Sequence, residues 1–337
     1  MRKIFSSLDI GSNTIKIIVG EFINNKLNIL SATKVTCRGY KNNYIINKEI
    51  LVEELKNALN KIEEDLNIKL RKVILNVPND SLEFQLTDGR VDIEEGTVTS
   101  NDIVRLLQDV SKNKIDPRNE LICTLPIIFK VDDEETYKPF GKHGNILSVK
   151  SILVSTDKKT VYDLASVIAS CNLDIIDITT TGLVDYYNFK NPELDKKNIA
   201  IVNLGYTTTN ISIFSKGIFI NNKVIEDGGF YIDKEIATKY NLKRNETEYL
   251  KEKLALAVIN NADEKEKIKL VNKDGVEIEI NQYELTSLVS EKMDNLLKVI
   301  KKNINLLTKK EISYIIITGG LSEIKDINLL INNVFNK

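Results

Sequence analysis

The sequence predicts an α/β fold made of two similar domains, and three observations predict it. A strand–turn–strand segment near the N-terminus recurs 194 residues later, with Gly205 answering Gly11. Runs of strand-forming residues alternate with helical apolar stripes. The chain's 337 residues, 42% hydrophobic, exceed one ordinary domain and suffice for two cores. The 47 basic and 48 acidic residues nearly cancel, which argues against a general nucleic-acid or anionic-lipid binder, though local basic patches are compatible with it. Cys37, Cys123 and Cys171 are odd in number and widely spaced; they give no disulfide framework or zinc knuckle and suit a reducing cytoplasm. Met1-Arg2-Lys3 leads into Ile4–Ile10, which carries two serines and an aspartate and reads as a strand rather than a signal-peptide core. No apolar run approaches the ~18 residues of a membrane-spanning helix. A soluble, at most peripheral, protein is expected.

Taken in order, Ile4–Ile10 and Ile15–Phe22 are strand-like around the turn Gly11-Ser12-Asn13-Thr14, and Asn24-Asn25 turns the chain into a third strand, Leu27 to Thr36. From about Lys48, the spacing of Leu51, Leu55, Leu59, Ile62 and Leu66 predicts a helix with one apolar face. Val73–Val77 is a strand ending at Pro78. Residues 81–155 change in texture: short strands (Glu83–Leu86, Ile127–Val131, Ile146–Ser155), a helix from Ser100-Asn101-Asp102, and loops at Asp116-Pro117 and Lys138 to Gly144 predict an inserted subdomain. A helix from about Thr160 to Ser170 resumes the first body. Ile201-Val202-Asn203-Leu204, the turn Gly205-Tyr206-Thr207-Thr208 and the strand after it repeat the N-terminal pattern, with a second turn at Ser215-Lys216-Gly217.

A hairpin turn of Gly, Ser and Thr exposes backbone N–H groups and hydroxyls at one point and makes an anion-binding nest suited to phosphate. Two such nests on facing domains would clasp a polyphosphate. Asp9 at its strand end suits a magnesium ion reached through water, and Lys16 would neutralise phosphate charge. Each turn alone also reads as an ordinary hairpin; the matched pair favours the phosphate reading. There is no Walker loop and no strand–GxGxxG–helix unit.

These segments carry a family resemblance. Leu8-Asp9-Ile10-Gly11-Ser12 with Lys16 resembles the first phosphate motif of the actin, sugar-kinase and heat-shock ATPase superfamily, and Asn203-Leu204-Gly205-Tyr206-Thr207-Thr208 resembles the second. Asp227-Gly228-Gly229, Glu248 with Lys251, and Thr318-Gly319-Gly320-Leu321 fall in the order of the segments that hold the nucleoside there. Within the superfamily the chain is most similar to the FtsA family, on Val73–Pro78, Leu86–Val91, Val98–Ile103, Leu125-Pro126 and Pro139–Leu147. The resemblance implies an actin-like (ribonuclease H-like) fold with a central nucleotide cleft: first domain 1–80 and 156–182, an FtsA-type insertion at 81–155, second domain 183–227 and 286–337, and a small subdomain at 228–285. It implies ATP and Mg2+ as ligands, with Asp9, Gly11, Ser12, Asn13, Thr14, Lys16, Gly205, Tyr206, Thr207, Thr208, Gly228, Gly229, Glu248, Lys251, Gly319, Gly320 and Leu321 around the nucleotide. It also implies a cell-division scaffold that binds the C-terminal tail of the tubulin-like FtsZ at the cytoplasmic face of the membrane, self-associates, and works with other divisome proteins.

The sequence departs from that pattern twice. The second phosphate motif usually opens with Asp, whereas Asn203 stands here. An amide holds water but carries no charge and is no base, so binding is expected with hydrolysis weak or absent. Relatives also continue into an amphipathic membrane helix, whereas this sequence stops at Lys337; a membrane anchor is expected only if one lies beyond. The stripe Ile324, Ile327, Ile331, Val334 and Phe335 lacks a basic face and is expected to pack on its own domain. His143 reads as a surface residue, Glu248 and Lys251 equally as a helix-surface pair, Asp263 to Lys269 as a solvated face or loop, and Thr179-Thr180-Thr181 as a helix cap. The other functions compatible with the fold are a pilus-assembly adaptor and a small-metabolite kinase, the latter weakened by Asn203.

Overall fold

Strand alternation and helical stripes sort the chain into two compact units in the computed structural model, which describes residues 4–24, 26–112 and 114–335. Met1-Arg2-Lys3, Asn25 of the expected turn, and Lys337 lie outside the described residues. One unit comprises residues 1–196 with 214–221, the other 197–213 with 222–337.

In the first unit β1 (Ile4–Ile10), β2 (Thr14–Ile23) and β3 (Lys26–Thr36) form an antiparallel meander. Alternate residues Leu8, Ile10, Ile15, Ile17 and Val19 are buried, as a sheet with one covered face requires. The short hairpin β4 (Tyr40–Lys41) and β5 (Tyr44–Ile45) leads to α1 (Lys48–Leu66). Asn47 caps this helix by accepting from the Ile50 N–H at 2.9 Å, and left-handed Asn67 (φ 52°) ends it. Leu51, Leu55, Leu59 and Ile62 are buried as the spacing predicts. β6 (Lys72–Val77) then joins parallel to β1.

A separate four-stranded sheet follows, in the order β7 (Glu83–Asp92), β10 (Ile146–Asp157), β8 (Asn119–Val131) and β9 (Glu134–Thr136), with α2 (Ser100–Ser111) packed on it. Its core is its own: Ile93, Val98, Leu106, Val110, Phe129, Val131, Leu147 and Val149. Two strands run longer than the sequence suggests. β7 continues through Thr87-Asp88-Gly89 because Gly89 pairs with Val149, and a Cβ there would lie 2.3 Å from Val110 Cγ1, so the glycine admits α2 instead of making a turn. β8 passes Pro126 at a register shift opposite Lys150 and Ser151, where a missing N–H is tolerated. α3 (Lys158–Ala169), β11 (Asp174–Thr180) and α4 (Thr181–Phe189) complete the unit. The first sheet is thus β11-β6-β1-β2-β3, with β11 parallel to β6. The expected threonine cap is corrected: Thr180 occupies the position before α4, but its hydroxyl donates to Asn79 Oδ1 and makes no cap bond. His143 is exposed, and its Nδ1 lies 2.8 Å from Thr97 Oγ1.

The sheet of the second unit begins with β12 (Asn198–Leu204), β13 (Thr209–Ser215) and β14 (Ile218–Ile225), although residues 214–221 around the β13–β14 turn group with the first unit. Lys216 and Gly217 make the β13–β14 turn with φ of 49° and 81°, the left-handed geometry that matches strand twist. α5 (Gly229–Tyr240), α6 (Arg244–Leu254), the hairpin of β15 (Lys267–Val271) and β16 (Glu277–Asn281), and α7 (Gln282–Leu307) follow. The charged run is therefore part strand: Lys267 and Lys269 reach diagonally across that hairpin to Glu279 and Glu277. β17 (Tyr314–Thr318) joins parallel to β12, giving the order β14-β13-β12-β17. α8 (Ile327–Phe335) begins one short 3-10 turn after Gly319, not directly after the glycine pair. α8 packs along α7: Ile324 and Ile327 of the expected stripe are buried and Ile331, Val334 and Phe335 half-buried, while Leu330, outside that stripe, is buried too. Among the described residues no helix is long and apolar enough to cross a membrane.

Candidate functional site

The repeat is visible down to one hydrogen bond. In the first unit the Gly11 N–H donates to the Thr14 carbonyl at 3.0 Å; in the second the Gly205 N–H donates to the Thr208 carbonyl at 3.0 Å. A Cβ on Gly11 would meet the Thr14 carbonyl oxygen at 3.2 Å, and one on Gly205 the Thr208 carbonyl oxygen at 2.6 Å, so the tight turn itself selects the glycines. Each turn sits beyond the carboxyl end of a strand with a parallel neighbour, the edge at which open α/β sheets place ligands.

At the first turn Asp9 and Lys16 are cross-strand partners, with Lys16 Nζ 3.6 Å from Asp9 Oδ2 and both side chains about half exposed. Ser12 Oγ accepts from the Asn42 N–H at 3.1 Å, and the Asn13 carbonyl accepts from the Cys37 N–H at 2.8 Å, so this turn is tied to the segment ahead of α1. Asn76 of β6 pairs with Asp9 in register and donates from Nδ2 to Asp9 Oδ1 at 2.9 Å and to Thr181 Oγ1 at 3.1 Å. Neither Asn76 nor Thr181 is singled out for this role by the sequence. Among the described residues no three His, Cys, Asp or Glu side chains group as a metal cage. One carboxylate beside an amide fits a cation that keeps most of its waters, as Mg2+ does.

At the second turn the start of α5 hangs from the hairpin: the Gly229 N–H donates to the Gly205 carbonyl at 3.1 Å, and the Phe230 N–H to the Tyr206 carbonyl at 2.7 Å. A Cβ on Gly228 would come within 2.6 Å of the Gly205 carbonyl oxygen. Gly319 has φ 90°, and a Cβ there would lie 2.4 Å from the Leu204 carbonyl oxygen. Gly320, by contrast, has open space where its Cβ would be, and Leu321 is buried. Gly205, Gly228 and Gly319 thus let three backbone segments converge, while Gly320 leaves room beside them. Asn203, two residues before Gly205, pairs in register with Thr318. Thr207 is buried, and Thr209 Oγ1 donates to the Asp227 carbonyl at 2.8 Å.

The helices beside this turn add charge that the sequence does not single out. The Arg244 guanidinium lies 5.0 Å from the Tyr206 ring centroid, and Phe230 meets the same ring edge-on at 5.7 Å. Burial, with Asp233 and Glu248 nearby, pushes the Tyr206 hydroxyl up to about 12. Lys251 Nζ lies 2.5 Å from Asp233 Oδ1 on α5, both side chains nearly covered, so its ion pair reaches to the neighbouring helix. Burial raises the Asp233 pKa, against the pull of Lys251. Asp233 interrupts the apolar stripe of α5 between the buried Ile232 and Ile236, the one sequence sign that it has a partner. Arg244 gives no such sign. A groove of about 640 Å³ between α7 and α8, lined by Lys298, Lys302 and Lys309 among others, shares no residue with these loops.

The family model described as Cell division protein FtsA matches residues 200–337, and that of the SHS2 domain inserted in FtsA matches residues 80–155. The cell division protein FtsA of Bacillus subtilis is 23% identical over 98% of this chain and 77% of its own length. That of Buchnera aphidicola is 24% identical over 99% of this chain and 82% of its own. Among solved structures, the PilM–PilN type IV pilus biogenesis complex superposes with a TM-score of 0.64 at 12% identity, covering 98% of this chain and 86% of that one. MreB5 of Spiroplasma citri bound to ADP gives 0.56 at 14% identity, covering 99% and 90%. These neighbours establish an actin-like fold.

Proposed function

Since the chain belongs to the FtsA family of actin-like cell-division proteins, we propose that it binds ATP with Mg2+ and links FtsZ filaments to the membrane at the division site. The observation that carries the nucleotide reading is the duplicated turn, in which Gly11 and Gly205 make the same hydrogen bond to Thr14 and Thr208. Both turns offer backbone N–H groups to phosphate oxygens, helped at the first by Lys16. Gly228, Gly229, Gly319, Gly320 and Leu321 line the space for the nucleoside, with Glu248 as its polar contact. Lys251, held by Asp233, fixes α6 on α5 so that Glu248 and Arg244 are presented. In the first unit Asp9 would hold Mg2+ through its waters, and bound Mg2+ neutralises phosphate charge. The solved MreB5 relative, named as bound to ADP, supports the same ligand class.

The test is equilibrium binding and melting with Mg-ATP. Ligand at a hundred times its Kd should stabilise the chain by about 2.7 kcal/mol. Gly320→Asp, placed in open space, should remove the shift while leaving the melting temperature of the free protein nearly unchanged. Absence of ATP binding by the unaltered chain at millimolar concentration would end the nucleotide reading. For the partner, a peptide of the FtsZ C-terminal tail should bind in preference to a pilus-protein peptide; the reverse preference would favour the pilus-assembly adaptor.

A further inference from the structure

At the carboxyl ends of three adjacent parallel strands of the first unit, β1, β6 and β11, side chains from distant parts of the sequence meet. Asn76, the centre of the group, spends both amide hydrogens there, donating to Asp9 Oδ1 at 2.9 Å and to Thr181 Oγ1 at 3.1 Å. Those two acceptors fix which way the amide points, because its oxygen turned toward Asp9 would face a carboxylate. The amide oxygen, Asn76 Oδ1, is consequently buried and accepts no hydrogen bond. A buried acceptor left empty is unfavourable unless a donor joins it. Beside a carboxylate that, among the described residues, belongs to no group of three His, Cys, Asp or Glu side chains able to cage a bare ion, the donor of fitting chemistry is a water polarised by a divalent cation.

We infer that Asn76 is a positioning residue for a hydrated Mg2+ ion: it holds the Asp9 carboxylate in place and accepts from a metal-bound water through Oδ1. Lys16, 3.6 Å from Asp9 Oδ2, balances the carboxylate in the absence of the cation. Thr181 locks the amide from the other side and ties it to the start of α4. The inference rests on the nucleotide reading above and assigns to that reading's metal a residue which no phosphate motif contains.

The measurement is the ratio of the ATP dissociation constant in excess EDTA to that in excess Mg2+, taken on the full chain and on two variants checked for folding by melting. In the unaltered protein Mg2+ should tighten binding. Asn76→Leu should cut that gain about tenfold or more, the usual effect of losing a residue that orients a metal's ligands, while affinity in EDTA stays close to the original. Asn76→Asp keeps the shape but sets a second carboxylate against Asp9, so the gain from Mg2+ should rise. A residue that only packs the strand would lower the melting temperature in both variants and leave both ratios unchanged, and that result overturns the inference with the nucleotide reading intact. If Asn76→Leu does not fold, the isosteric Asn76→Asp decides alone, because an unchanged or reduced ratio there overturns the inference too. Failure of the unaltered chain to bind ATP in either condition removes the nucleotide reading and the inference with it.

Discussion

Asn203 is the last residue but one of β12, as Asp9 is of β1, and each faces a polar residue on its parallel neighbour, Thr318 in one case and Asn76 in the other. The first unit carries a carboxylate at this place and the second an amide. In-line attack on a terminal phosphate needs a positioned water, and a general base contributes typically ~10²–10⁴ in rate. Asn203→Asp should therefore accelerate single-turnover phosphate release by up to that range with ATP affinity little changed. Brisk release by the unaltered chain that survives Asn203→Ala would show that the position takes no part. The glycines divide in a way that motif reading does not reveal. Gly319 adopts φ 90° against the Leu204 carbonyl, whereas Gly320 beside it faces open space. Gly319→Ala should cost roughly 1–3 kcal/mol, the scale of backbone strain at a left-handed position, and Gly320→Ala under about 0.5 kcal/mol. Equal losses in chemical denaturation would contradict this division of labour.

At the scale of elements, α2 is held at its start by a reciprocal cap. The Thr99 N–H and Oγ1 donate to Asp102 Oδ2 at 2.9 and 2.6 Å, and the Asp102 N–H donates back to Thr99 Oγ1 at 3.3 Å. The Thr99 bonds, with Arg105, hold the Asp102 pKa below its usual 3.8. A depressed carboxyl pKa stabilises the fold above the unfolded value and loses that contribution as pH falls through the folded one. Asp102→Asn should thus lower stability at neutral pH, and the gap from the unaltered protein should narrow as pH falls below about 4; a gap that does not change with pH over that range would mean the charge is irrelevant there. Such local elements were legible in the sequence where one physical signal dominated. α1 is read from its leucine stripe because that signal acts within a few residues, whereas its Asn47 cap is first seen in the structure. β7 and β8 were read too short because Gly89 and Pro126 look like breakers. Their allowance comes from α2 and from the β10 register, which are fixed by distant residues. Likewise Lys251 looks like an i,i+3 partner of Glu248, yet its ammonium takes the better-covered Asp233 on the neighbouring helix.

Over the whole molecule, the 194-residue repeat carried the architecture, since strand–turn–strand hairpins declare themselves locally and their duplication needs no contact map. The candidate site was half legible for the same reason. Both turns are contiguous in sequence, whereas the Asp9–Asn76–Thr181 group joins residues 67 and 105 positions apart and has no local signature. The sheet formed by β7, β10, β8 and β9, with its own core, branches from the rest of the first unit at one place, where Ser81 Oγ and Thr156 Oγ1 are 2.8 Å apart and the Asp157 N–H donates to Ser81 Oγ at 3.3 Å. A segment whose ends meet can be excised with little loop-closure penalty. Replacing residues 82–155 with a short Gly/Ser linker should leave β6, α3 and β11 in place, apart from solubility costs where Ile122 packs against the main core. We propose that this inserted subdomain serves contact between copies of the chain. The excised variant should then bind Mg-ATP within about threefold of the full chain, well under 1 kcal/mol, while sedimentation shows assembly lost or shifted to much higher concentration. A folded excised variant that still assembles would assign the contact elsewhere. One that folds but no longer binds nucleotide would mean that the phosphate turns depend on the inserted sheet, for which the hydrogen bonds at Gly11, Asp9 and Asn76 give no reason.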